Sequence, residues 1–128
     1  MTKSQITNPK IAVARASFVR SNPRKMRWLA GSIDNLKPLT AIQALKQMPQ
    51  KGALALARVL EQAMGNAKNN LALSPDKLMV QSIQVLEGPR VAKKSDTHAR
   101  GARFGRGMRV KRLSHIKVIL EEKNGTKS

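Results

Sequence analysis

The feature that most constrains the fold is a run of basic, glycine-bearing residues, 88–112, between two apolar stretches. It holds nine Lys and Arg residues against Asp96 alone, with four of the chain's eight glycines. Such a segment has no apolar face to bury, so it is either a disordered loop or a long β-hairpin projecting from the folded part. A hairpin with about twelve residues in each strand would extend ~40 Å from the folded part. It would keep its conformation only when surrounded by a polyanion.

The charge of the chain is concentrated in this segment and at the N-terminal end. The net charge is +18 at pH 7. Residues 1–27 carry seven basic residues and no acidic one, whereas the apolar residues 28–87 carry six basic and four acidic residues. At this charge density a folded chain repels itself unless a polyanion neutralises it. We therefore expect a polyanionic partner.

Residue types that bind metal ions or act as catalytic nucleophiles are scarce in this chain. Cysteine is absent, and His98 and His115 have no carboxylate at a metal-ligand spacing. We therefore expect no metal site, no cofactor and no enzymatic activity. The longest uncharged stretch, Leu78 to Leu86, is far below the roughly 20 residues that span a bilayer, and no apolar signal segment follows Met1. These observations favour a cytoplasmic protein with no membrane partner.

Apolar periodicity predicts three strands and three helices. The predicted strands are Ile11 to Val19, Leu78 to Leu86 and Ser114 to Glu122, and the predicted helices are Pro23 to Asn35, Pro38 to about Met48, and Lys51 to Asn69. Asn22 and Pro23 supply an N-cap and a first-turn proline for the first helix. The expected fold class is α+β: three helices packed on a small three-stranded antiparallel sheet, with a long basic β-hairpin extension between the last two strands.

We expect a single domain over residues 1–128. Residues 11–87 and 113–122 form its globular part, and residues 88–112 form the extended β-hairpin. Residues 1–10 are expected to be a flexible N-terminal arm, and residues 123–128 a flexible tail.

Two basic segments are candidates for nucleic-acid contact. From Arg100 to Arg112 a cation recurs about every three residues among glycines, which let the backbone approach a phosphate chain closely. Arginine suits this role because its planar fork bonds phosphate oxygens bidentately. Only Phe104 is aromatic in this run, which favours reading of phosphate and shape over base stacking. The second group flanks the start of the first helix, where the helix dipole also favours phosphate; it comprises Arg15, Arg20, Arg24, Lys25 and Arg27.

Three other functions are compatible with some of these features. A DNA-binding architectural protein would use the same net charge, although it usually inserts apolar wedges, for which the hairpin offers only Phe104, Met108 and Val110. An RNA-modifying enzyme would need a nucleophile, an acid–base pair or a cofactor loop, and Gly105-Arg106-Gly107 does not lie between a strand and a helix. A membrane-disrupting protein would need a helix with Trp, Phe and Lys-rich faces.

Several short sequence motifs, which occur in a fixed order along the chain, resemble those of a known family. They are Arg15-Ala-Ser-Phe-Val-Arg20, Pro23-Arg-Lys-Met-Arg27, Asn66-Ala67, Glu87-Gly-Pro89, and Lys111-Arg112 followed by Ser114-His-Ile116. Together, from about Ala14 to Glu122, they resemble the family of ribosomal protein twenty-two of the large subunit, in its bacterial form. The number of residues between Glu87-Gly-Pro89 and Ser114-His-Ile116 is larger than in the family pattern. Gly107-Met108 stands where the family has a different motif.

The resemblance implies a structural protein of the large ribosomal subunit, located in the cytoplasm. It implies binding to large-subunit ribosomal RNA, support of subunit assembly, and a hairpin tip that lines the nascent-peptide exit tunnel. Implied partners are ribosomal RNA, neighbouring ribosomal proteins including ribosomal protein four, and the nascent polypeptide, but neither DNA nor a membrane. By position and charge, the RNA-binding residues are Arg15, Arg20, Arg24, Lys25, Arg27, Arg90, Arg103, Arg106, Arg109, Lys111, Arg112 and His115. The tunnel-lining tip comprises Lys93, Lys94, Ser95, Asp96, Thr97, His98, Ala99 and Arg100.

Overall fold

Three helices cover one face of a three-stranded antiparallel sheet in the computed structural model, which describes residues 10–97 and 108–123, with the side chains of 92–97 and 108–110 left undescribed. The strands β1 (Ile11–Val19), β2 (Leu78–Thr97) and β3 (Met108–Glu122) lie in the order β1-β3-β2. The helices are α1 (Pro23–Ser32), α2 (Pro38–Gln47) and α3 (Lys51–Asn70), and a 3-10 turn covers Pro75–Lys77. The predicted α+β fold class with its hairpin extension is confirmed.

The core lies between α3 and the sheet. On β3, every second side chain points into it, so that Ile116, Val118 and Leu120 are buried. The facing side of α3 is lined by alanines and leucines that are all fully buried: Ala53, Leu56, Ala57, Leu60, Ala63 and Ala67. The short alanine side chains let the helix backbone approach the sheet closely. Each fully buried leucine contributes about 1.5–3 kcal/mol to the free energy of folding.

The first helix begins as predicted and ends earlier than predicted. The side chain of Asn22 accepts a hydrogen bond from the backbone N–H of Arg24 at 3.0 Å, and Pro23 occupies the first turn. The helix ends at Ser32 rather than Asn35, because Asn35 adopts a left-handed backbone with φ 64°. Leu36 therefore leaves the apolar face of the helix and is partly exposed.

The second strand is much longer than the predicted Leu78 to Leu86. It continues through Gly88 and Pro89 to Thr97, and its pairing with β3 extends to Thr97 opposite Met108. The register shifts between Glu87 and Arg90. A proline is tolerated here because β2 is an edge strand, where a missing N–H costs no ladder hydrogen bond. Of the two alternatives for the basic segment, its described parts form a hairpin.

Side-chain hydrogen bonds join the helices and the sheet. The amide of Asn66 on α3 donates to the carbonyl of Val13 on β1 at 3.0 Å. The buried hydroxyl of Ser114 on β3 donates to the carbonyl of Ser21, just before α1, at 2.7 Å. The first bond joins α3 to β1, and the second fixes the start of α1 against the base of the hairpin. Within the described part of the chain, no helix is long and apolar enough to cross a membrane.

Candidate nucleic-acid interface

An open cleft of about 1010 Å³ lies at the base of the hairpin. Four pieces of the fold meet there: the end of β1, the first turns of α1 and α3, and the paired strands β2 and β3 where they leave the sheet. The cleft is lined by exposed cations and by exposed apolar side chains; the cations are Arg20, Arg24, Lys25, Lys51, Lys111 and Arg112, and the apolar group is Phe18, Trp28 and Val91.

The end of β1 presents the ring of Phe18 to the cleft. The pairing of β1 with β3 is irregular between Ala16 and Val19, and Phe18 within this bulge has a left-handed backbone with φ 57°. Its N–H donates to Nδ1 of His115 at 3.1 Å, and the two rings meet edge to face with centroids 5.0 Å apart. These contacts hold Phe18 in a conformation that a bulky residue rarely adopts, with 62% of it exposed.

The first two turns of α1 supply Arg24, Lys25, Trp28 and Leu29 to the lining. The Asn22 cap sets the start of the helix, so Arg24 and Trp28, four residues apart, lie on the same face. Neither α1 nor α3 has an acidic residue in its first turn. Lys51 begins α3, and the side chain of its N-cap residue Gln50 makes no capping hydrogen bond. Two helix N-termini thus face the cleft, and their dipoles add to the positive potential.

The base of the hairpin brings cations into direct opposition. Arg90 on β2 pairs in register with Arg112 on β3, and Val91 pairs with Lys111. Like charges directly opposite on neighbouring strands destabilise the pairing. An anion seated against Arg90 and Arg112 would remove this repulsion. The hairpin base is therefore more stable beside a polyanion than in water alone.

The sequence-predicted residues divide into three groups. Five of them line the cleft together: Arg20, Arg24, Lys25, Lys111 and Arg112. Four lie elsewhere in the described part. Arg15 is exposed on β1 opposite Lys117, Arg90 is exposed on β2, and His115 contacts Phe18. The guanidinium of Arg27 donates from Nε and Nη2 to the carbonyl of Val85, at 3.3 and 3.2 Å, and so ties α1 to β2.

The remaining predicted residues lie outside the described side chains. For the RNA-binding set these are Arg103, Arg106 and Arg109. For the tip they are the side chains of Lys93, Lys94, Ser95, Asp96 and Thr97, whose backbone belongs to β2, together with His98, Ala99 and Arg100. The expected flexible segments at the two termini are outside the described residues except for Lys10 and Lys123.

Several residues of the cleft were not predicted from the sequence, among them Trp28, Lys51 and Phe18. Trp28 is the single tryptophan of the chain and lies one helical turn after Arg24, a position that could have signalled a surface aromatic beside a cation. Lys51 starts a helix without an acidic first turn, which marks a positive helix end. Phe18 belongs to the motif Arg15-Ala-Ser-Phe-Val-Arg20, but no pattern in the sequence reveals its left-handed backbone.

The cleft has the chemistry of anion binding and not of metal binding. Within residues 10–91 and 111–123, an ion pair joins Lys46 and Glu61 at 2.7 Å, and neither residue lines the cleft. The described residues contain no group of three or more His, Cys, Asp or Glu side chains that could hold a metal ion. The six cations lining the cleft are thus available to a polyanion.

Comparison with known proteins identifies the family. The family model described as ribosomal protein L22p/L17e matches residues 14–121. The large ribosomal subunit protein uL22 of Akkermansia muciniphila is 40% identical over 108 residues, covering 84% of this chain and 93% of that protein. The protein of the same name from Thermomicrobium roseum is 46% identical over 105 residues, covering 81% and 85%. That from Petrotoga mobilis is 36% identical over 130 residues, covering 99% and 84%. The chain belongs to the ribosomal protein L22p/L17e family and is a structural constituent of the large ribosomal subunit, not an enzyme.

Proposed function

We propose that this protein binds large-subunit ribosomal RNA through the cleft and the base of its hairpin, and that this binding supports subunit assembly. The observation that carries the proposal is the convergence of six exposed cations from four separate pieces of the fold on one cleft. The pairing of Arg90 with Arg112 across the hairpin also supports the proposal. An RNA phosphate between the two guanidinium groups would replace their mutual repulsion by two favourable ionic contacts. Arg15, Arg27 and His115 contribute contacts outside this centre, as do Arg103, Arg106 and Arg109.

The hairpin gives the protein a second role in this proposal. From Gly88 to Thr97, β2 extends about ten residues beyond the sheet, or roughly 30 Å at ~3.3 Å per residue. We propose that it reaches through the RNA and that its distal part, including Lys93 to Arg100, lines the nascent-peptide exit tunnel. The partners are then the RNA, neighbouring ribosomal proteins including ribosomal protein four, and the nascent polypeptide, all in the cytoplasm. The family membership and the length of the paired strands support this role.

The RNA-binding role is tested by measuring affinity for a large-subunit RNA fragment against salt concentration. If about eight cations meet phosphates, the affinity falls by ~10³ to 10⁵ between 50 and 200 mM salt. Replacing Arg24 or Arg112 with Ala should each lower the salt slope by about one. Arg58→Ala is the matched control, because Arg58 is an exposed cation on α3 that does not line the cleft. A flat salt response, or equal losses in all three variants, contradicts the proposal.

Duplex DNA is the competitor that separates this role from that of a DNA-binding protein. The cleft cations attract any phosphate backbone, but the proposed site is built for folded RNA. We expect structured ribosomal RNA to displace duplex DNA at moderate salt, and the reverse order of affinity would favour the DNA-binding alternative.

The tunnel role is tested by separating the stem of the hairpin from its tip. Replacing Arg109, Lys111 and Arg112, which lie on β3, with Ala should impair incorporation into large subunits, because each cation removed loses phosphate contacts. Deleting residues 95–98 should leave incorporation nearly intact but change macrolide sensitivity or the stalling of particular nascent chains. If the tip deletion abolishes incorporation as severely as the stem replacement, the two parts do not have separate roles.

A further inference from the structure

The cleft also contains exposed aromatic rings, which phosphate binding alone does not require. We propose that it holds one unpaired nucleobase of the bound RNA, stacked on Trp28 with Phe18 beside it. The inference rests on the proposed RNA-binding function and goes beyond it, because it assigns a base-stacking subsite. The ligand class is an unstacked nucleotide in a loop or bulge and not a regular duplex.

The exposure of the two rings is the first observation. The chain has only one Trp, two Phe and no Tyr, and aromatic side chains normally bury large areas in the core. Here Trp28 is 64% exposed and Phe18 is 62% exposed, and both line the same cleft. The core of this protein is filled by aliphatic side chains and Met26, and the described core contains no aromatic residue. Two of the chain's three aromatic residues are thus held at the surface in one site.

The backbone positions that carry the two rings are also fixed. Trp28 lies on α1 between Met26 and Leu29, which are both buried, so the orientation of this helix is set by the core. Phe18 is fixed by the β-bulge and by its contacts with His115. Because this backbone is already ordered, stacking of a ligand on Trp28 restricts only the rotation of its side chain, which limits the entropy lost on binding.

The surrounding charges match the rest of a nucleotide. Arg24, Lys25 and Lys51 lie at the N-termini of two helices that line the same cleft as the rings. A base on the indole would leave its own phosphates among these cations, where the helix dipoles favour negative charge. In a duplex both faces of each base are already stacked, so only an unpaired base can use Trp28. The basic run alone predicts reading of phosphate and shape; the cleft adds stacking through residues outside that run.

The single tryptophan allows a direct test. With no other Trp and no Tyr in the chain, the intrinsic fluorescence above the phenylalanine band reports on Trp28 alone. The full-length protein is titrated with a short RNA hairpin that carries one bulged adenine, and with the same hairpin lacking the bulge. In both RNAs a flexible non-nucleotide linker closes the stem in place of the loop, so that the bulged adenine is the unpaired base that distinguishes them. We expect quenching of the fluorescence, and protection of Trp28 from acrylamide, with the bulged RNA only.

Variants provide the second readout, using fluorescently labelled RNA and measuring its anisotropy. Trp28→Leu should weaken binding of the bulged hairpin by about 5- to 100-fold and leave binding of the fully paired hairpin unchanged. Trp28→Phe should retain most of the affinity, because it retains a ring. Leu54→Ala is the control: Leu54 is a half-exposed apolar residue of α3 outside the cleft, and its replacement should not distinguish the two hairpins.

The experiment distinguishes failure of the stacking inference from failure of the proposed RNA-binding function. If both hairpins bind with salt-dependent affinity but neither quenches the fluorescence of Trp28, the protein binds RNA without base stacking. The stacking inference is then wrong, while the proposed RNA-binding function stands. Equal quenching by the two hairpins also overturns it, because an unpaired base is then not required. If neither these hairpins nor a large-subunit RNA fragment bind, the proposed function fails together with the inference.

Discussion

The backbone N–H of Phe18 donates a hydrogen bond to Nδ1 of His115, 97 residues later in the chain. Because Nδ1 accepts this bond, the neutral imidazole carries its proton on Nε2. That nitrogen remains a donor, so His115 can hold Phe18 and bind a phosphate at the same time. This contact between the end of β1 and β3 therefore fixes the edge of the cleft where Phe18 lies.

Removing the imidazole should loosen the end of β1. His115→Ala deletes the acceptor of the Phe18 N–H, and we expect a loss of about 1 kcal/mol in the free energy of unfolding. The more specific measurement is hydrogen exchange at the Phe18 amide, which should become faster. His115→Asn is the matched variant, because its side-chain oxygen can take the place of Nδ1. Slow exchange that persists in the Ala variant would show that the bond does not protect this amide.

The left-handed backbone of Phe18 predicts an unusual order of stability. Glycine adopts φ near 57° without a steric cost, whereas alanine does not. We therefore expect Phe18→Gly to be more stable than Phe18→Ala by up to about 1 kcal/mol in chemical denaturation. At the neighbouring Ser17, which has no positive φ, the same pair of substitutions should give the opposite order. The same order at both positions would contradict this explanation.

Most of the fold was predictable from local patterns. The bounds of β1 and the starts of all three helices agree with the sequence-based predictions, because apolar periodicity, Asn22 and the prolines carry that information locally. The end of α1 and the length of β2 were wrong. Asn35 is a residue type that favours a left-handed helix end, and the sequence-based prediction wrongly included it in α1. The strand β2 crosses Gly88 and Pro89, and β3 begins at Met108 and not at the predicted Ser114, because the two strands pair with each other beyond the sheet.

The cleft was only partly predictable. Charge runs identified Arg24 and Arg112 as candidates, because net charge is a property of the sequence. Their convergence was not predictable, since it depends on the register of β2 and β3 and on the Ser114 to Ser21 hydrogen bond. The aromatic rings were missed because apolar residues are expected in the core, and only a three-dimensional arrangement reveals that Trp28 is exposed.

The two glycines of α3 should respond in opposite ways to alanine. A Cβ at Gly52 would collide with Sδ of Met26 and lie 2.9 Å from Oγ of Ser21, and Met26 is fully buried and cannot move away freely. Gly52→Ala should therefore lower the free energy of unfolding by about 1–3 kcal/mol. At Gly65 nothing lies within 4 Å of such a Cβ. Gly65→Ala should raise it by about 0.5–1 kcal/mol through helix propensity. Thermal or denaturant unfolding of both variants decides, and stabilisation by Gly52→Ala would contradict the close approach of α3 to α1.

Two arginines of α1, three residues apart, should separate stability from RNA binding. The guanidinium of Arg27 makes both of its hydrogen bonds to the carbonyl of Val85, whereas Arg24 is exposed and lines the cleft. Arg27→Ala should lower the free energy of unfolding by about 1–2 kcal/mol, because it removes a charged donor that joins α1 to β2. Arg24→Ala should change it by less than about 0.5 kcal/mol. In RNA binding the order reverses: Arg24→Ala should lower the salt slope by about one, and Arg27→Ala should lower it less. Denaturation and salt titration of both variants measure the two effects independently, and equal losses of RNA affinity would mean that Arg27 belongs to the interface as fully as Arg24 does.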